Sequence, residues 1–509
     1  MCPNSCMTFV GPHAEKTRCT ARRQGRRCKE RRYDASGKPR RQYTTFSILP
    51  RVRAKFASGN GSTYLHDLAE FADGTWDTEE HEFTDWAAGG IHRSLRDKGL
   101  FDDPRHDAYI LSTDGAQFID KRTSNGWIVA LTSLNSSPME RFRRPATFIA
   151  TGEGTGCGTV RTKSGFVWKA WIVAAAADQQ GSSRVNHMTG PTGFNGCKSC
   201  HMEANYAYDG QTVGHFPLKT VQGAERSRMR PVEYDPHQLP MRTDASFAED
   251  LAEVSGALTA ADRREARRVT DVGDRPLLSF SPAFSIPSFF APDVFHLFGS
   301  NIPSQLWATL TTPHEGDPFS LSEDHQELFA AMLESSGSDL PSSFSSSPPR
   351  DPSKHATSHY KMYEWTLVTY LYLPSFLYAI NAPLPVVQMI CSLQEGVRLA
   401  MSATGVSAAE LIRMRDCFID FVRAWEDLYI RGQASLLYRA TPRNTSQARC
   451  EREVGLLKRM LRSHKQPFTG VINNLRQNEH LRLLDLQLND QNQDEGPMAY
   501  TLSKVPQHL

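Results

Sequence analysis

The chain has 509 residues, with 58 Lys and Arg against 56 Asp and Glu for a formal net charge of only +2, and 39% of it is hydrophobic. That length supports at least one large core and up to three packing units. Ten cysteines, few for the length and unevenly grouped, exclude a secreted disulfide scaffold and fit a reducing compartment. The opening MCPNSCMTF has no apolar stretch of the kind a signal peptide needs.

Residues 1–45 hold Cys2, Cys6, Cys19 and Cys28 in a basic stretch, ARRQGRRCKERR included. Four thiolates bind one Zn²⁺ tetrahedrally, and so small a unit needs such a staple. The same run of arginines reads as a nuclear address, a phosphate-binding arm or a solvated tail. Residues 46–105 form an amphipathic helical connector, with LHDLAEFADG and HRSLRDKG as helices closed by glycines.

Residues 106–185 carry the sheet. Tyr109 to Leu111 reads as a buried strand, Asp114-Gly115 as the turn that follows it, and Trp127 to Leu131 as the next strand. Phe166 to Ala177 is a further strand, with Asp178 where polar residues resume. Asp114 and Asp178 thus stand at two strand ends, where clefts of mixed α/β sheets open and paired carboxylates hold Mg²⁺ or Mn²⁺. Taken singly, each acid reads equally as a turn or strand-end cap.

Residues 186–334 contain Cys197 and Cys200 in NGCKSCH, a spacing open to zinc or to redox chemistry. His187 and His201 are near enough in sequence to complete a metal site. Asp293 and His296, at i and i+3 on one helical face, are the distant alternative. Within the same stretch AEDLAEVSGALTAADRREARRV is a charged helix pair.

The Ser/Pro-rich residues 335–358 are too polar to pack and read as a linker. Residues 359–440 follow with HYKMYEWTLVTYLYLPSFLYAI, where Glu364 falls near a helix start. Trp365 to Gln394 lacks any charge, but Pro374, Pro383 and Pro385 cut it below the roughly 20 apolar residues of a membrane span. Buried helices are the reading. Helical periodicity continues through AAELIRMRDCFIDFVRAWEDLYI and, in residues 441–509, through EREVGLLKRMLRSH.

The ordered series LSTDG, AAAAD, GCKSC and APDVFHLFGSN resembles the transposases of CACTA (En/Spm-type) DNA transposons, a branch of the DDE/RNase H-like superfamily. The resemblance runs from the first residues to about Glu453. It implies an α/β fold, an RNase H-like mixed sheet interrupted by a zinc-binding insertion, with a cysteine-rich module before it and helices after it. It implies a DDE triad of Asp114, Asp178 and Glu364 on Mg²⁺ or Mn²⁺, structural Zn²⁺, and Asp293 with His296 as motif positions beside Cys197 and Cys200. Glu395, Glu410 and Glu426 lie on similar helical patterns to Glu364. The partners implied are double-stranded DNA at transposon ends and target, other copies of the chain in a homo-oligomer, and an accessory DNA-binding protein, all in the nucleus and none in a membrane. Arg141, Arg143 and Arg144 are either phosphate contacts or a solvated face. Between LYI and CEREVG the chain is shorter than the family pattern, which also carries paired histidines and a G-P element there. That shortfall favours a second reading, a zinc-stabilised DNA-binding or scaffolding protein without catalysis.

Overall fold

The computed structural model describes residues 1–41 apart from 5, 10, 24 and 25, then 50, 52, 82–103, 106–117, 125–135, 147–149, 160–161, 167–177, 179–206, 214–219, 221, 233–291, 293–294, 297–338, 347–357, 360–402, 404–439 and 477. Asp178, His296, Arg141, Arg143 and Arg144 lie outside them, as do LHDLAEFADG and all of 441–509 except Gln477.

The fold is mixed, a small sheet joined to a larger body of helices. Four strands make the sheet: β1 (Asp107–Gln117), β2 (Asn125–Ser133), β3 (Thr147–Ile149) and β4 (Ala170–Ala176), in the order β3-β2-β1-β4. β2 is antiparallel to both β1 and β3, whereas β4 runs parallel to β1. From Trp171 on, the burial of β4 alternates between buried and half-buried, as the two-residue period of a strand with one face better covered than the other dictates. One face packs Trp171 and Val173 against Leu95, Leu100 and Phe101, on and just after α1 (Gly90–Asp97). The other packs Ala175 and Ile172 against Val272, Ile286, Phe289 and Phe290. The backbone N–H of Ala175 donates to the Phe289 carbonyl at 2.7 Å, so the turn at 286–289 sits against the edge of β4.

Asp114-Gly115 is not the turn that its sequence suggests: β1 runs on to Gln117, with Asp114 opposite Ile128 and Gly115 opposite Trp127. β2 supplies backbone partners over the whole of that stretch, and ladder hydrogen bonds outweigh the local turn preference of Asp-Gly.

α2 (Gln179–Asn186) follows the sheet. The predicted charged pair is α3 (Asp244–Gly256) and α4 (Ala260–Thr270), each begun by a capping box, Thr243 with Ser246 and Thr259 with Asp262. The larger core belongs to α5 (Ile302–Thr311), α6 (Glu323–Ser335), α7 (Met362–Leu367), α8 (Leu373–Ala379), α9 (Leu384–Ala400) and α10 (Ala408–Trp425). Leu306, Leu310, Leu377, Val386, Ile390, Leu393 and Tyr429 are wholly buried within it. The uncharged stretch is therefore core, and no helix among the described residues is long and apolar enough to cross a membrane. A short antiparallel pair, Glu82–Phe83 with Val406–Ser407, ties the connector to the start of α10. Gly405 is required there, because its φ is +96° and a Cβ would lie 2.9 Å from the Thr84 Cα.

Candidate metal centres and acid sites

Residues 1–41 are folded around their cysteines. Backbone bonds from Cys19 N–H to Glu30 O (2.8 Å), Cys28 N–H to Ala21 O (2.9 Å) and Cys2 N–H to Met7 O (2.9 Å) bring distant residues to one point. The ligand atoms of Cys2, Cys6, Cys19 and Cys28 all lie within 4.8 Å of one another. Cys2 and Cys28 are 3.7 Å apart at sulfur, close to the ~3.8 Å edge of a tetrahedron with Zn–S bonds of about 2.3 Å. All four are free thiols, and Cys2 and Cys19 are buried. Burial pushes the Cys19 thiol up to about 12, while the Glu30 backbone N–H draws the Cys28 thiol down to about 7. Tetrahedral spacing and four soft donors, two of them buried, fit a structural Zn²⁺.

Cys197 and Cys200 also adjoin, at 3.3 Å between sulfurs. Hydrogen bonding from Cys200, with further backbone N–H groups, brings Cys197 down to about 6, and the same contact raises Cys200. The turn is built on Arg242, a side chain that no motif or spacing singles out. Its guanidinium is buried, donates to the carbonyls of Cys197 (2.9 Å) and Asn195 (2.6 Å), and pairs with Asp250 at 2.9 Å. Lys198 donates to Ala291 O at 3.0 Å and feels the charge of Asp293, which joins this turn to the Asp293 segment. Among the described residues no third His, Cys, Asp or Glu completes a cluster around Cys197 and Cys200. His201 turns its Nε2 to the Ser246 hydroxyl at 3.2 Å, and His187 is exposed.

Asp114 is placed by its backbone on β1, the strand between β2 and β4. Glu364 is far more specified. It is fully buried at the start of α7, and both its oxygens accept from the Arg350 guanidinium at 2.7 Å, with the Lys361 N–H at 2.8 Å and the Arg350 N–H at 3.1 Å. Burial raises the carboxyl, but those donors outweigh it and hold it at about 2. The end of the expected linker is thus packed: Pro352 is buried, and Arg350 reaches back to Glu364.

The other glutamates divide by partner. Glu395 pairs with Arg398 (2.7 Å) and Arg413 (2.9 Å), and Glu410 forms a capping box with Ser407. Glu426, just past α10, accepts from the Leu218 N–H at 2.9 Å and 3.1 Å beside Asp427 and Lys219, and burial raises it to about 7. A carboxyl raised on folding contributes its full stability below its unfolded value near 4.5 and loses it as pH rises towards 7. Glu426→Gln keeps the acceptor for Leu218 and removes the titration. Urea unfolding at pH 5 and pH 8 should show the variant gaining about 2 kcal/mol on the parent chain at the higher pH only.

A comparison with protein-family models and a search of curated proteins both return no match to this chain.

Proposed function

We propose that the chain is a transposase-like protein of the CACTA type, which cuts and joins DNA phosphodiesters on an RNase H-like sheet with Asp114 and Asp178 as paired metal-holding acids. The observation that carries this reading is the register of the parallel pair. Ser112 lies opposite Ala176 in the last pair of that register, with Asp114 two residues further along β1 and Asp178 two residues further on in the sequence. The four-strand order β3-β2-β1-β4 with β2 reversed supports the same reading.

In this reading Mg²⁺ or Mn²⁺ supplies the Lewis acidity, acidifying the attacking water and neutralising the leaving 3′ oxygen. Asp114 and Asp178 supply the negative charge that holds the ions. Glu364 completes the set only by releasing Arg350, whose guanidinium occupies the same two oxygens. The cysteine modules hold structural Zn²⁺, the DNA is double-stranded, and assembly into a homo-oligomer with an accessory DNA-binding protein in the nucleus follows from the same reading.

The test is nicking of a labelled DNA duplex by the full chain with Mg²⁺. Asp114→Asn and Asp178→Asn should each lower the rate about a hundredfold or more, with duplex affinity retained. Duplex binding without nicking favours the second reading, a zinc-stabilised DNA-binding or scaffolding protein. The engagement of Glu364 by Arg350 is the observation on that side.

A further inference from the structure

The hairpin between Cys19 and Cys28 has an unusual ladder. Arg22 lies opposite Arg27 and Arg23 opposite Arg26, and an isolated bridge sets Arg18 opposite Arg31. Like charges directly across a two-stranded ladder are destabilising. Here every rung of the hairpin pairs two cations, in a module with twelve Lys and Arg against three acids.

The acids of the module are committed elsewhere or far too few. Glu30 pairs with Arg40 at 2.6 Å, and Asp34 caps its own turn through Ser36 and Lys38. Several basic side chains are internal struts rather than ladder charges. Arg32 lies over the rings of Phe9 and Tyr33, and Arg41 donates to the Pro3 carbonyl at 3.0 Å. Arg18, Arg27, Lys29 and Arg31 are exposed, and among the described residues no ion pair joins them to an acid.

We infer that this ladder is a phosphate-binding ribbon that lodges in a groove of duplex DNA. Successive strand positions occupy opposite faces, so the 22/27 rung lies on one face of the ribbon and the 23/26 rung on the other. A ribbon charged on both faces suits a groove with a phosphate wall on each side, and the major groove of B-DNA admits a two-stranded ribbon. A membrane surface or a flat acidic protein meets one face only and leaves the other rung uncompensated. The thiolate cluster at the base of the ribbon fixes its entry. The ribbon depends on the metal reading of Cys2, Cys6, Cys19 and Cys28, not on the catalytic reading of the acids.

The experiment is fluorescence anisotropy of the full chain with a labelled duplex of arbitrary sequence over a KCl series. Replacing Arg22, Arg23, Arg26 and Arg27 together by Gln should flatten the slope of log affinity against log salt by about 3.6, roughly 0.9 for each phosphate no longer neutralised. Replacing all four by Lys should restore it. An unchanged slope in a Gln variant that still holds its metal overturns the inference. So does loss of binding to phosphatidylserine vesicles with duplex binding intact. If the fourfold variant fails to hold metal, Arg27→Gln alone, at an exposed position, is read instead and should flatten the slope by about 0.9. An unchanged slope there overturns the inference equally. Asp114→Asn should leave every slope unaltered, so a failure of cleavage and a failure of the ribbon are separate results.

Discussion

Stripping metal from the full chain, or replacing Cys19 by Ser, should unfold residues 1–41 and leave the sheet and the helical body folded. The module has little else to hold it. Its buried core is Cys2, Phe9 and Cys19, with Cys6, Met7, Ala21 and Cys28 partly covered. Its only strands among the described residues are the two-residue pair Arg22–Arg23 and Arg26–Arg27, whose register sets arginine opposite arginine. Units of this size need a staple, and a four-thiolate zinc site supplies on the order of 10–16 kcal/mol. Cys19 is the variant of choice because it is buried and its backbone bonds to Glu30 and Lys29 close the base of the hairpin. Losing it should weaken zinc by more than the roughly 10–100-fold that outer-shell changes cost. Trypsin should then cut within the basic module before any other part of the chain, and elemental analysis should show one zinc fewer per chain. Cys197→Ser should not release that metal. A module that resists trypsin with no metal bound would sink the zinc reading.

What the sequence discloses follows from how local each signal is. The charged pair α3 and α4 is legible because capping residues and period lie within each segment. The cysteine cluster is legible in composition but not in spacing, since Cys19 and Cys28 are brought together by backbone pairing of Cys19 with Glu30 and of Cys28 with Ala21 that no motif records. Asp114 reads as a turn residue in sequence because the residues that keep β1 extended stand opposite it on β2. Glu364 is picked out by its place at a helix start, yet its partner Arg350 lies in a stretch whose composition signals no packing at all. Arg242, which organises the Cys197–Cys200 turn, has no sequence signal, since nothing in a lone arginine tells that its guanidinium will be buried.

Replacing Arg350 by Met should destabilise the helical body by about 3 kcal/mol at pH 7, because it leaves the buried Glu364 carboxylate without its counter-charge. The arginine is 41% exposed while the glutamate side chain is 1% exposed, so water relieves the cation but not the acid, and the cost of the broken pair falls on Glu364. The sign with pH is fixed by the same pair. The carboxyl sits at about 2 in the folded chain against 4.5 unperturbed, so its contribution is complete above 4.5 and is lost as pH falls towards 2. Parent and variant should therefore differ most in urea midpoint at pH 6–7 and converge in acid, where Glu364 is protonated in both. Glu364→Gln made in the Arg350→Met background should recover part of the loss, since a neutral amide in that pocket keeps an acceptor for the Lys361 N–H. Equal midpoints for parent and Arg350→Met at pH 7 would mean that the pair contributes nothing to the fold, and would return Glu364 to the acids open to a metal. A loss confined to neutral pH would fix it as the tie between the Ser/Pro-rich segment and α7.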